Sequence, residues 1–244
     1  MSYAADFLKD CGAWGIVPDA GVADKLETYA ALLVERNRQV NLTAVTEPGQ
    51  IWKLHFTDSL ALLRDGRNVF PDKARVIDVG TGAGFPGMVL KLFRPDWEMT
   101  LLDAQAKRVS FLNEVADELF RDNARGSLTV IHARAEELAH DEVHREMYDI
   151  SIARAVSRLR VLAEYTLPFL KTGGTFVAYK SVETDEEIAE AENALKTLGG
   201  ETPVADDFLL PHTDIARRLV TVKKARPTEP RYPRRAGMPE KKPL

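Results

Sequence analysis

From Arg75 onward, short apolar runs alternate with amphipathic stretches. The alternation predicts strands at 75–79, 98–103, 128–132, 148–153 and 174–179, with helices around 86–93, 107–119, 158–167 and 184–198. Strands and helices in alternation with short connections imply a mostly parallel, doubly wound sheet. Glu201 to Phe208 and Ile215 to Lys223 carry no helical period between them and read as a closing antiparallel hairpin. Before Arg75 the period is helical. Leu26, Tyr29, Ala30, Leu33, Val34 and Asn37 share one face, and a second helix is expected to start at Pro48 behind Thr46 and run towards Leu63. The pattern divides the chain into a helical cap over 1–74, an α/β domain over 75–224 and a tail over 225–244.

The first strand leads into Val79-Gly80-Thr81-Gly82-Ala83-Gly84-Phe85-Pro86-Gly87. A buried strand, a turn too rich in glycine to hold side chains and a helix starting near Pro86 bring backbone N–H groups against a nucleotide-like ligand. Read literally, Gly82-x-Gly84-x-x-Gly87 matches the dinucleotide fingerprint, but that extends the strand to Thr81 and leaves Asp78 as an uncompensated charge inside it. Starting the turn at Gly80 puts Asp78 at the carboxyl end of the strand, free to accept hydrogen bonds from the turn or from a cationic ligand. The pattern Asp78-x-Gly80-x-Gly82-x-Gly84 then resembles the first motif of S-adenosylmethionine-dependent methyltransferases. An ordinary tight turn needs fewer glycines than this. The next strand ends in Asp103, where such folds place the carboxylate that holds two ribose hydroxyls; a helix N-cap is the plainer role for such an Asp.

Composition adds a soluble globular class: 244 residues at 45% hydrophobic content bury a full core, with no apolar run of transmembrane length. Cys11 is the single cysteine, so no disulfide forms within the chain, and the cytoplasm is the expected compartment. The net charge of −4 conceals an asymmetry. From Lys223 onward eight Lys or Arg stand against Glu229 and Glu240, an excess of six positive charges that leaves −10 for the rest. Five prolines make this tail extended and irregular. Charge pattern alone is equally consistent with a solvated terminus and with a phosphate-binding arm.

Further candidates lie at the sheet's carboxyl edge. Lys107 and Arg108 open a helix, where the dipole disfavours cations, so an anion is expected to compensate them. Ala133-Arg134-Ala135-Glu136-Glu137 follows the third strand, the usual place for adenine contacts, and Ser151-Ile152-Ala153-Arg154-Ala155 ends the fourth, facing the reacting methyl group. The acidic helix bearing Glu183, Asp185, Glu186, Glu187, Glu190 and Glu192 is expected to face away from nucleic acid. His55 and Asp58, three apart on one helix, share a face and are expected to make a local hydrogen bond, with His55 structural because neither Cys nor a second His stands at ligand spacing. No Asn-Pro-Pro-aromatic loop follows the fourth strand, and Cys11 is far from it in the chain. A nucleophile without a proton is the simplest fit.

Asn41-Leu42-Thr43, His55-x-x-Asp58-Ser59, the glycine turn, Leu101-Leu102-Asp103 with Lys107-Arg108, Ala135-Glu136-Glu137, Arg154-Ala155 and Arg231-Tyr232-Pro233-Arg234-x-x-Gly237-x-Pro239 together resemble the RsmG (GidB) family. These are bacterial guanine-N7 methyltransferases acting on guanine 527 in the 530 loop of 16S rRNA. The resemblance covers roughly residues 26–244 and implies a Rossmann-like class I S-adenosylmethionine-dependent methyltransferase fold. It implies S-adenosylmethionine as donor, held by Asp78, Gly80, Gly82, Gly84 and Phe85 in the turn, by Asp103, Ala104 and Gln105 at the ribose, by Ala135 and Glu136 at the adenine, and by Arg154 at the reacting end. It implies catalytic roles for Arg154 and Lys180, and rRNA contacts from Lys107, Arg108, Arg134, Arg231, Arg234 and Arg235. The partner it implies is 16S rRNA or the small ribosomal subunit, with no membrane, no metal and a monomeric chain. Ala104 and Ala153 stand where many relatives carry Ser, and Phe85 where some have Leu, changes that backbone contacts survive. Two readings from other classes stay open: an NAD-dependent oxidoreductase on the literal fingerprint, and a non-catalytic RNA-binding module using the tail.

Overall fold

A computed structural model of the chain describes residues 2–66, 70–120, 127–154 and 157–244. These form one seven-stranded sheet in the order β3-β2-β1-β4-β5-β7-β6. The strands are β1 (Arg75–Val79), β2 (Glu98–Asp103), β3 (Leu128–His132), β4 (Tyr148–Arg154), β5 (Leu170–Lys180), β6 (Val204–Leu209) and β7 (Ala216–Lys223). The first five are parallel, while β7 runs antiparallel to both β5 and β6, the expected closing hairpin. The fold is that of the Rossmann-like class I S-adenosylmethionine-dependent methyltransferases. β5 begins four residues earlier than expected, at Leu170 rather than 174, and the Gly173 N–H bonds the Lys224 carbonyl.

Two cores flank the sheet. On one face β1 and β2 side chains such as Val76, Met99 and Leu101 pack with α4 (Gly87–Phe93), α5 (Ala106–Leu119) and the N-terminal helices α1 (Tyr3–Ala13) and α2 (Val22–Val40). On the other face Ile77, Val79 and Ala153 pack with α7 (Leu159–Thr166) and α9 (Glu192–Leu198), near α6 (Ala135–Leu138). Burying both faces is why the central strands read as continuous apolar runs. The cap face on α2 is as expected, with Leu26, Tyr29 and Leu33 fully buried.

The expected helix from Pro48 to Leu63 is broken into three geometries. α3 (Pro48–Ile51) is capped by the Glu47 carboxylate rather than by Thr46, a widened π turn follows over Trp52–Thr57, and a 3₁₀ stretch runs from Leu60 to Gly66 with Asp65 at φ 59°. The cause is tertiary. Arg154 donates to the Leu54 carbonyl (3.1 Å) and the Tyr179 hydroxyl to the Ser59 carbonyl (2.9 Å), so sheet side chains take acceptors that a regular helix would use internally. Similarly, the single helix expected over 184–198 is two, α8 (Asp185–Glu190) and α9, joined where the Ala191 N–H bonds the Ile188 carbonyl in a tightened turn.

The tail is irregular as expected but docked. Arg145 donates to the Thr228, Glu229 and Tyr232 carbonyls, Tyr232 is buried, and Arg234 closes on Glu164 through its backbone N–H (2.7 Å), Nε (2.9 Å) and Nη2 (2.6 Å). The short helix α10 (Met238–Lys241) then reaches α7. Glu164 is 1% exposed, so removing its cation leaves a buried charge uncompensated. Arg234→Ala should therefore cost about 2–3 kcal/mol in urea unfolding, somewhat below the usual loss for a broken buried pair because Arg234 is partly exposed. A loss under roughly 0.5 kcal/mol would mean that the tail does not stabilise the domain.

Candidate active site

The order of strands reverses between β1 and β4, and ligands of open α/β sheets bind outside the carboxyl ends of strands at such a point. There the Asp78 carboxylate, with no exposed surface, accepts from the Thr81 hydroxyl (2.7 Å) and the Gly87 N–H (2.8 Å) through one oxygen. The N–H groups of Gly80 and Thr81 bond the Leu102 carbonyl on β2. Gly80, Gly82 and Gly84 take φ of 70°, 63° and 100°, so the turn starts at Gly80 as expected. The glycines serve different ends. A Cβ on Gly84 would lie 2.3 Å from the Tyr29 hydroxyl oxygen, whereas one on Gly82 would meet nothing nearer than the Gly80 carbonyl at 4.0 Å. Gly82 thus presents open backbone to whatever lies on the turn.

One cleft, of about 380 Å³, runs from the turn towards β3 and is lined by Gly80, Asp103, Gln105, Ala135, Tyr165 and Glu240 among others. Asp103 is buried and accepts from the Gly82 N–H (2.9 Å) and the Gln105 N–H (2.8 Å), so the carboxylate ties the turn to the start of α5. Arg108 lies 3.4 Å from it, which is the anion expected to compensate a cation in that first turn. Ala104 is exposed in the same wall, and Lys107 is exposed beside it. Glu136, buried, accepts from Arg134 Nη2 (3.1 Å) and from the Gly237 N–H of the tail (2.8 Å).

A second cleft, of about 500 Å³, lies at the ends of β4 and β5 under the cap, and Arg154 and Lys180 both line it. Arg154 is its hub. One nitrogen donates to the Leu54 carbonyl and to Asp58 (both 3.1 Å), the other to His55 Nδ1 (3.1 Å), and the guanidinium lies 5.2 Å over the Phe85 ring. Because a guanidinium only donates, His55 Nδ1 carries no proton, and the Nε2–H faces the Thr43 hydroxyl at 2.8 Å. Burial first, then the Arg154 charge, push the His55 pKa down to about 3. His55 stacks on Phe85 (4.4 Å), which stacks on Tyr29 (5.3 Å). Hence His55 and Asp58 are joined through Arg154 rather than by a local bond, and Asp58 also takes Arg217 from β7 (3.2 Å). Lys180 donates to the Ser157 carbonyl (2.7 Å) and to Glu187 (2.5 Å). Glu187 and Thr184 also line this cleft, so the start of the acidic α8 borders it.

Ala155 lies outside the described residues. Of the tail cations, Arg231 and Arg235 are exposed, while Arg234 is committed to Glu164. Sequence reasoning missed Arg217, Tyr165 and Glu240, whose approach to the clefts depends on long-range packing. For Thr43 a signal existed: Asn37 brackets the bend, accepting from the Leu42 and Thr43 N–H groups and donating to the Thr43 carbonyl.

The dinucleotide reading fails on geometry. A pyrophosphate needs the free N–H groups opening α4, and the Asp78 carboxylate already sits on the Gly87 N–H. Comparison with known proteins agrees. The family model described as rRNA small subunit methyltransferase G matches residues 22–210. The ribosomal RNA small subunit methyltransferase G of Alkaliphilus metalliredigens is 42% identical over 238 residues, covering 97% of each chain. That of Desulforamulus reducens is 45% identical over 218 residues, covering 89% of this chain and 88% of its own. The solved structure of a predicted O-methyltransferase from Agrobacterium tumefaciens shares the fold, with a TM-score of 0.51 at 22% identity over 71% of this chain and 81% of its own.

The second oxygen of Asp78 has no hydrogen-bond partner among the described residues, and burial outweighs the Thr81 and Gly87 bonds and the Arg154 charge, raising the pKa to about 6. A carboxyl whose folded pKa exceeds its unfolded value contributes stability that is complete below about pH 4 and is lost as pH rises through about 6. Relative to Asp78→Asn, the unaltered protein should lose about 2–3 kcal/mol of unfolding free energy between pH 4 and pH 7.5. Parallel stability curves for the two proteins would refute the buried, elevated carboxyl.

Proposed function

The chain belongs to the rRNA small subunit methyltransferase G family, and from that premise we propose that it methylates N7 of a guanine in the 530 loop of 16S rRNA, position 527 by family resemblance, with S-adenosylmethionine as donor. The observation that carries the choice of a proton-free acceptor is the second cleft. Its imidazole is neutral and bonded at both nitrogens, and its carboxylates Asp58 and Glu187 are held by cations, which leaves no free base there among the described residues.

The first cleft fits the donor. Open backbone at Gly82, the Asp103 carboxylate and a lining that balances Asp103, Glu136 and Glu240 against Arg108 and Arg134 suit a nucleoside bearing positive charge and disfavour a pyrophosphate. Gly80 and Phe85 would carry the turn-side contacts, Asp103, Ala104 and Gln105 the ribose, and Ala135 and Glu136 the adenine. Bound S-adenosylmethionine supplies a methyl group on a positively charged sulfur. Guanine N7 offers a lone pair and no proton, so the chain's task is alignment and a preorganised field rather than base catalysis. Three bonds fix the Arg154 guanidinium, and Asp58 offsets part of its charge, so it orients the base or a phosphate without opposing the charge that N7 acquires. Lys180 stands beside it as a second fixed cation. Arg231, Arg235, Lys107 and Arg134 form the rRNA-facing set, with Arg234 holding the tail that presents two of them.

Incubating the protein with labelled S-adenosylmethionine and undermodified small subunits, then mapping the label by mass spectrometry, tests the reading directly; label on protein, on another nucleotide or nowhere overturns it. Single-turnover rates at saturating cofactor and RNA should vary less than about threefold between pH 6.5 and 8.5, because His55 stays neutral far below that range. Arg154→Ala should slow the step by about 2–4 kcal/mol at every pH, whereas a His55→Ala defect should track binding or stability. A rate rising tenfold per pH unit that flattens in His55→Ala would point to a protonated acceptor. Replacing Arg231 and Arg235 together by Ala should lower the slope of log RNA affinity against log salt by about two, and an unchanged slope would return both to the solvated surface.

A further inference from the structure

The four cations that line the second cleft, Arg154, Lys180, Arg217 and Arg218, are not matched one to one with acids. Lys180 has Glu187 (2.5 Å), and Arg218 bonds two carboxylates, Asp207 through Nε (2.5 Å) and Asp185 through Nη1 (2.6 Å). Arg154 and Arg217 share one. Asp58, buried where the π turn over Trp52–Thr57 ends, accepts from Arg154 Nη1 through Oδ2 (3.1 Å) and from Arg217 Nε through Oδ1 (3.2 Å). Neither guanidinium pairs with another acid among the described residues. Asp58 therefore cancels one of two positive charges. Arg154 keeps its place by other means as well, since the Leu54 carbonyl and His55 Nδ1 also accept from it (both 3.1 Å).

We propose that Asp58 is a positioning residue for the transfer step: acting through Arg154 and Arg217, it holds that pair at one net positive charge instead of two, which lowers RNA affinity and raises the rate of methyl transfer. The inference rests on the N7 reading above and deepens it. In that reaction the guanine lone pair forms the new N–C bond while the bonding pair of the S–C bond stays with sulfur, so no proton moves and one positive charge passes to the base. A cation on the acceptor's side attracts the RNA phosphates in ground and transition state alike, but it opposes the charge that arrives only in the transition state. Positive charge on this wall thus helps binding and hinders the step. The shared carboxylate sets the balance between the two.

The test uses the full chain and undermodified small subunits at one fixed pH, with two readouts: subunit affinity measured without cofactor, and the single-turnover rate at saturating S-adenosylmethionine. Asp58→Asn keeps the size and one acceptor oxygen but removes the charge, and should tighten subunit binding about threefold while slowing the step at least about tenfold. Arg217→Gln removes a cation instead and should move both readouts the opposite way. The double variant restores the charge of the pair and should return each readout to within about threefold of the unaltered protein. A residue that only supports the fold would lower affinity and rate together, and a second loss would not rescue it. Thermal unfolding of each variant tracks folding; if Asp58→Asn does not fold, Arg217→Gln decides alone, and a slower step there overturns the assignment. Any result for a folded Asp58→Asn other than tighter binding with a slower step, or a double variant that is not rescued, overturns the role of Asp58 while the N7 reading stands. An unaltered protein that transfers no methyl group to guanine N7 overturns both.

Discussion

A carboxylate with no exposed surface at the end of a central strand sets the terms for the molecule. Asp78 is tolerable there only because the chain turns at once, returning the Thr81 hydroxyl and the Gly87 N–H to one oxygen. That demand explains the start of the turn at Gly80, the entry of α4 close beneath it, and a Gly87 whose Cβ would lie 2.8 Å from the same oxygen. It also selects the ligand class. With a negative charge already on the amino end of α4, the site repels a pyrophosphate and favours a ligand with positive charge, although Gly82-x-Gly84-x-x-Gly87 satisfies the dinucleotide fingerprint letter by letter.

The sheet was legible in the sequence because its signals are local. Apolar runs bounded by turn residues located β1, β2 and β3 to the residue, and the hairpin after α9 followed from the lack of a helical stretch between its strands. The cap's second helix was legible only as far as Ile51. Beyond it, Arg154 and Tyr179, a hundred or more residues away, take the carbonyls of Leu54 and Ser59, and the helical period that the apolar positions advertise yields to those bonds. The same competition turned the expected His55–Asp58 contact into two contacts with Arg154. Residue types and spacing pointed to the right pair, but the bridging partner arrives from β4.

Charge counting reached its limit in the tail. Eight cations against two acids read equally well as a solvated end or a phosphate arm, and the fold divides them. Lys224 is buried against the Leu167 carbonyl, Thr228 and Glu146, Arg234 is held partly exposed by Glu164, and Lys223 and Arg226 bond the Thr175 hydroxyl and the Lys196 carbonyl, while Arg231 and Arg235 face outward. No local pattern separates these classes, because what decides is whether a carboxylate or carbonyl on another element stands opposite each one.

The Arg154 hub shows why the cap and the sheet act as one site. Asp58 comes from the cap, Arg154 from β4 and Arg217 from β7, and each charge is balanced only when all three elements are in place. Phe85 extends the assembly to the glycine turn, since Arg154 and His55 lie on its ring and Tyr29 stacks beyond. A displaced cap would leave Arg154 without its carboxylate and would expose it as an unfixed cation. The cap is thus the element that turns a general methyl-transfer sheet into a site with a fixed, compensated field, and its polar positions, more than its apolar ones, bind it to the chemistry.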